Sequence, residues 1–259
     1  MVSIDKSLRK VEELYNSRIE SKMDAVEAAG QWGSKEFVPE ICEEIGKKLD
    51  IKKDDKILEI GCGSGVLGNW LAERCSLYCG LDISLMMLKK FSDEYLRKPE
   101  YNLIKSLTNF LPLRDNYFDA VVINGVTMYF QDDNLLKITL MEMERVARDN
   151  AIIFLGENVT PDRTYWEYRW FQDLGKSKQV LAKPYIKLRL WLAKKVPHCA
   201  GKWKDFHREV DPDFIKKYFD DKGQVIISDA AAMTVKRKRL GKNWKGNRRM
   251  DFTINLRKL

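Results

Sequence analysis

The 259 residues are 44% hydrophobic and 32% charged, which suits one sizeable globular domain with an elaboration, or two small ones. No window approaches the roughly 18 uncharged apolar residues of a membrane span, and the amino-terminal stretch lacks the apolar centre of a signal peptide, so a secreted or membrane-spanning chain is not expected. The five cysteines are odd in number and read as free thiols of a reducing cytoplasm.

The net charge of +8 is unevenly placed. Residues 1–157 hold 21 Lys and Arg against 27 Asp and Glu, a net of −6, while residues 158–259 hold 25 against 11, a net of +14. A basic back half implies a partner that carries negative charge.

Along the chain, residues 1–30 read as one or two amphipathic helices, QWGS at 31–34 as a break, and residues 36–49 as a further helix with apolar positions three and four apart. KKDDKILEIGCGSG is a short strand closed by a glycine loop, VLGNWLAERC a helix and LYCGLDI a second strand. The helix SLMMLKKFSDEYLRK stops at Pro99. YNLIKS is a third strand, FDAVVING (118–125) a fourth, DDNLLKITLMEMERVAR a helix capped by Asp132 or Asp133, and NAIIFLGEN a fifth strand. Strands separated by helices indicate an α/β fold with right-handed crossovers and a parallel sheet.

From about residue 158 the rhythm changes. Residues 160–208 are rich in aromatic and basic side chains, including Trp166, Trp170, Trp191 and Trp203, and are expected to form two or three helices that lie as a lid over the strand ends. DPDFIKKYFDDKG resumes the core as a helix, with Asp211 capping and Pro212 in its first turn. QVIISDA is a sixth strand and RMDFTINLRKL a last, antiparallel one, joined by the long basic connection AMTVKRKRLGKNWKGNRRMD. The expected organisation is residues 1–50 as helices covering part of the site, 51–157 as the binding core, 158–210 as the helical lid, and 211–259 as the rest of the core with its basic loop.

The stretch LEIGCGSG (58–65) carries the chemistry. In open parallel sheets, ligands bind beyond the carboxyl ends of the strands, and glycines there let a ligand lie against bare main chain. Gly63-Ser-Gly65-Val-Leu-Gly68, with Asp82 beyond it, matches the dinucleotide pattern G-x-G-x-x-G. That register, however, puts Glu59 and Gly61 inside a strand that should be apolar, and starting at Gly61 puts Val66 where the third glycine belongs.

A longer constellation fits better. Glu59-Ile-Gly61-Cys-Gly63-Ser-Gly65, then Leu81-Asp82-Ile83-Ser84, then Leu111-Pro112-Leu113 leading into Phe118-Asp119-Ala-Val-Val, resembles the class I S-adenosylmethionine-dependent methyltransferases over roughly residues 30–157. The resemblance implies a Rossmann-like, mostly parallel seven-stranded sheet with helices on both faces, an antiparallel last strand, a helical lid insertion after the fifth strand, and S-adenosyl-L-methionine as cofactor. It implies that the backbone from Gly61 through Cys62 and Gly63 to Gly65 lies along the methionine moiety, with Glu59 near its ammonium end. Asp82 would accept both ribose hydroxyls, Ile83 and Met87 would pack on the adenine, and Asn124 and Gly125 would flank the sulfonium. Many members carry an acid four residues before the Leu-Pro pair; here that position is Leu107, so the adenine is expected on backbone groups around Leu107 and Thr108, or on Asn109. No metal is expected.

Methyl transfer from a sulfonium is an in-line displacement, for which a protein supplies mainly alignment and exclusion of water. A hydroxyl acceptor also gains from a general base, worth about 10²–10⁴-fold. His207 and Tyr129 are the candidates for handling the acceptor, with His198 a further histidine beside the lid. The acceptor expected is small or saccharide-like, anionic and methylated at oxygen. The alternative is an RNA methyltransferase, with Lys236, Arg237, Lys238, Arg239, Lys242, Lys245, Arg248 and Arg249 meeting the phosphate backbone and Trp244 stacking on a base. Residues 183–195 mix apolar and basic side chains in a way that also suits peripheral contact with an anionic bilayer.

Overall fold

The computed structural model describes residues 6–30, 35–95, 101–159, 208–240 and 249–257. His198, His207, nearly all of the expected lid, the 183–195 segment and residues 241–248 of the basic connection lie outside the described residues.

Seven strands form one sheet in the order β3-β2-β1-β4-β5-β7-β6. They are β1 (Lys56–Ile60), β2 (Leu77–Asp82), β3 (Tyr101–Lys105), β4 (Phe118–Asn124), β5 (Ala147–Val159), β6 (Gly223–Asp229) and β7 (Arg249–Leu256). The pairs from β3 to β5 are parallel, and β7 runs antiparallel to both of its neighbours, β5 and β6. Strands β1 and β4 are almost wholly buried, as continuous apolar runs covered on both faces should be. The winding reverses between β1 and β4, so the carboxyl ends of these two strands flank the natural ligand crevice.

Helices cover both faces. On one, α6 (Asp133–Val146) and α7 (Pro212–Tyr218) bury Leu136, Leu140 and Ile215 against Leu58, Ile60, Val121 and Ile153. On the other, α3 (Val38–Leu49), α4 (Val66–Ala72) and α5 (Leu85–Tyr95) bury Ile45, Leu71 and Phe91 against Ile57, Tyr78, Val122 and Phe154. Two further helices precede them, α1 (Lys6–Glu20) and α2 (Ala25–Ala29), the latter opened by a capping box between Asp24 and Glu27. The Asp132 side chain accepts the Leu135 N–H at 2.8 Å, which settles Asp132 as the cap of α6. Asp211 and Pro212 open α7 as the sequence suggests.

One expectation is corrected. The basic stretch after β6 begins as a helix, α8 (Ala231–Leu240), rather than as an open connection. Ala231, Ala232, Met233 and Val235 are buried under it, and its basic residues meet acids: Arg239 Nε donates to Glu40 at 2.8 Å, Lys238 to Glu44 at 3.3 Å, and Arg237 pairs with Asp229. Glu40 and Glu44 stand one turn apart on α3, so two helices of opposite charge lie together. Exposed pairs of this kind contribute only about 0–1 kcal/mol each, so the buried apolar side holds the helix in place. β5 also starts three residues earlier than expected, with Asn150 inside it at φ +64°. Among the described residues no helix is long and apolar enough to cross a membrane.

Candidate active site

A crevice opens where β1 and β4 end. Its floor is the turn after β1. The N–H groups of Gly61 and Cys62 both donate to Leu81 O, at 2.7 and 2.9 Å, bending the chain across the end of β2. Gly61 makes that bend at φ +74°, and a Cβ there would sit 2.3 Å from Val126 Cγ2. Gly65, at φ +85°, turns the chain into α4 where a Cβ would strike the Phe91 ring. Both positions therefore exclude side chains, and at Gly61 bare main chain faces the crevice.

Asp82 closes β2 at the lip. Its Oδ2 accepts the Gly63 N–H at 2.9 Å and its Oδ1 the Ser84 N–H at 2.8 Å, so the carboxylate is fixed to the glycine turn. Burial pushes its pKa up to about 6, against the pull of these N–H groups. Glu59 lies deeper, only 3% exposed. The Tyr78 hydroxyl donates to its Oε2 at 2.6 Å. Burial raises the Glu59 carboxyl to about 8, the bond from Tyr78 opposes the rise, and the charge of Asp82 adds to it. Two acids with raised pKa in a mostly apolar crevice suit a cationic guest.

The facing wall comes from β4. Gly125 N–H donates to Gly156 O at 3.0 Å, and Thr127 Oγ1 donates to the buried Asn158 Oδ1 at 2.7 Å. Asn158 Nδ2 in turn donates to Leu155 O at 2.6 Å. These bonds pin the 3₁₀ turn Thr127–Tyr129, which brings Tyr129 to the mouth. There the Tyr15 hydroxyl, from α1, donates to the Tyr129 hydroxyl at 2.9 Å with the rings edge to face. Ser84 Oγ donates to Asn16 Oδ1 at 2.7 Å and Lys105 pairs with Glu12 at 2.8 Å, so α1 is tied across the mouth at three places. Burial raises the Tyr15 phenol well above its ordinary range, and the neighbouring Tyr129 adds to the effect, so Tyr15 stays protonated at neutral pH.

Every residue the sequence nominates for the cofactor, except Gly65 and Asn109, lines this one crevice, and so does Tyr129. Gly65 serves the entry into α4 instead of the lining, and His207 lies outside the described residues. Leu107 and Thr108 line the end beside Ile83 and Met87, and Thr139 Oγ1 holds Thr108 Oγ1 at 3.1 Å. Asn109, the alternative to their backbone, borders a neighbouring hollow. Sequence reasoning misses Tyr15, Val11 and Leu8 of α1, together with Ser106 and Val126. The amphipathic pattern of α1 marks a buried face without saying what it buries. Among the described residues, no group of three or more His, Cys, Asp and Glu stands ready for a metal ion.

Residues 58–155 match a family model described as a methyltransferase domain. An uncharacterized methyltransferase of Schizosaccharomyces pombe is 40% identical over 53 residues, covering 20% of this chain and 20% of that one, so the chain aligns with about a fifth of this relative's length. An uncharacterized protein of Methanocaldococcus jannaschii is 26% identical over 202 residues, 72% of this chain and 84% of that one. In fold, a Haemonchus contortus phosphoethanolamine N-methyltransferase 1 solved with phosphoethanolamine and S-adenosylhomocysteine has a TM-score of 0.63 at 15% identity, over 99% of this chain and 50% of that one. A glycine-rich turn, an acid at the end of β2 and a second acid beneath it make a donor set that fits S-adenosylmethionine. Sequence match and strand order converge: residues 58–155 match a methyltransferase domain, and the chain has the fold of solved methyltransferase structures.

Proposed function

We propose that the protein transfers a methyl group from S-adenosylmethionine to the oxygen of a small or saccharide-like, anionic acceptor. The observation that carries the reading is Asp82, clamped by Gly63 and Ser84 at the lip of the glycine-lined crevice. When bound, the cofactor supplies an already activated methyl group.

In this reading Asp82 accepts the ribose hydroxyls, Glu59 meets the ammonium, and Asn124 with Gly125 forms the wall beside the sulfonium. The α1 helix, tied down through Tyr15, Asn16 and Glu12, keeps water from the reacting centre. The Tyr15–Tyr129 pair offers an acceptor two hydroxyls. An amine would arrive as a cation and need an acid of its own, but among the described lining residues Glu59 and Asp82 are the only carboxyl groups. That balance favours a hydroxyl acceptor. Because Tyr15 stays protonated, His207 remains the candidate for taking the hydroxyl's proton.

The surplus of basic residues after position 157 supports an anionic acceptor. An RNA platform draws less support, because Arg237, Lys238 and Arg239 are engaged with Asp229, Glu44 and Glu40. The test is incubation with tritiated-methyl donor and fractionated cell extract, with RNase and phosphatase controls. Label in a small, phosphatase-sensitive product is expected. Label in RNase-sensitive material, or no release of S-adenosylhomocysteine with any fraction, would overturn the proposal.

A further inference from the structure

Gly68 completes the literal G-x-G-x-x-G string, yet it lies in the first turn of α4, away from the crevice. A Cβ on it would sit 2.2 Å from the Tyr78 hydroxyl, and one on Gly80 would sit 3.0 Å from the same oxygen. Gly80 stands beside Glu59 in the register of β1 and β2. Two missing side chains thus open a passage along one face of the sheet, and the Tyr78 phenol fills it to reach Glu59 Oε2 at 2.6 Å. Tyr78 is 1% exposed and does not line the crevice, whereas Glu59 does. The ring also packs edge-on against Phe91, with centroids 6.0 Å apart.

We propose that Tyr78 is a positioning residue for methyl-donor binding, holding one oxygen of Glu59 so that the other is left for the donor's ammonium group. The proposal rests on the reading of the crevice as the cofactor site. A hydroxyl donating to a carboxylate favours the ionised form, and Glu59 has little other help. Among the described residues, the titratable groups around it are Tyr78 and Asp82 from β2, Cys62 from the turn and Cys42 from α3, and none of these is a cation. Without the phenol, Glu59 would have to lose its proton unaided as the cation arrives.

The test is calorimetric titration of S-adenosylmethionine into wild type and Tyr78→Phe between pH 6 and 9. The variant should bind about tenfold more weakly near neutrality, the loss expected for one hydrogen bond to a charged group. The pH at which its affinity reaches half of the plateau should rise by roughly one unit. In a Glu59→Gln background, Tyr78→Phe should have no further effect on either quantity. Equal weakening at every pH, or superimposed profiles, would show that the phenol merely packs and would overturn the proposal. Should Tyr78→Phe fail to fold, Glu59→Gln alone decides: a pH profile of affinity unchanged from wild type refutes the linkage. Failure of wild type to bind would instead overturn the assignment of the crevice itself.

Discussion

Replacing Asp82 with alanine separates binding from folding. The carboxylate meets the ribose in the proposed complex, and each hydrogen bond to a charged group contributes about 1.5–3 kcal/mol, so affinity should fall roughly 10- to 150-fold. Stability responds differently. In the ligand-free protein burial lifts this carboxyl from 3.8 to about 6. A raised carboxyl costs stability progressively as the pH climbs from the unfolded to the folded value, about 3 kcal/mol in all by the usual conversion. Alanine removes that cost, and it also removes the acceptor of the Gly63 and Ser84 N–H groups. The two changes oppose one another, so the melting temperature at pH 7 should move far less than the affinity does. Calorimetric titration with S-adenosylhomocysteine, paired with thermal unfolding, reads both. Affinity within twofold of wild type would refute the ribose contact. A matching fall in affinity and stability would mean that the carboxylate serves the turn and not the ligand.

Glu59→Gln should stabilise the ligand-free protein above about pH 5 while weakening cofactor binding, because the carboxyl, lifted from 4.5 to about 8, loses stability as the pH rises between those values; thermal unfolding from pH 5 to 8 checks the slope, and an unchanged slope contradicts the burial argument. Gly68→Ala should cost about 1–3 kcal/mol of folding stability by overpacking, measured by urea unfolding, and a neutral result would show that Tyr78 yields easily. The double change Lys238→Ala with Arg239→Ala should alter stability by less than about 1 kcal/mol per pair and leave cofactor affinity alone. A large loss on unfolding would show that the ion pairs, and not the buried side of α8, hold that helix.

The site was most legible where its residues are neighbours in sequence. Glu59 through Gly65 form one turn, and Asp82 ends the next strand, so spacing alone brings them together. The pairing of Tyr15 with Tyr129 was not legible, because the two stand 114 positions apart and only the folded chain unites them. The run Lys236–Arg239 misled for a related reason. Four consecutive cations suggest a solvated connection, but Ala231, Ala232, Met233 and Val235 just before them are buried and the acids of α3 lie opposite. Those acids were visible as Glu40 and Glu44, one turn apart; what the sequence lacked was any hint that α8 would lie beside them. Gly68 shows the reverse case, a motif position whose reason is room for a phenol.

The place of β7 between β5 and β6 bears on how the molecule is made. On the ribosome, residues 223–229 emerge some twenty positions ahead of the strand that links them to the sheet, and among the described residues β6 pairs with that strand alone. The nascent chain must therefore leave a slot beside β5 until residues 249–256 arrive to fill it. The crevice, framed by β1, β2 and β4, is translated well before that slot closes, so the ligand-binding half can take shape while the far edge is still waiting for its last strand.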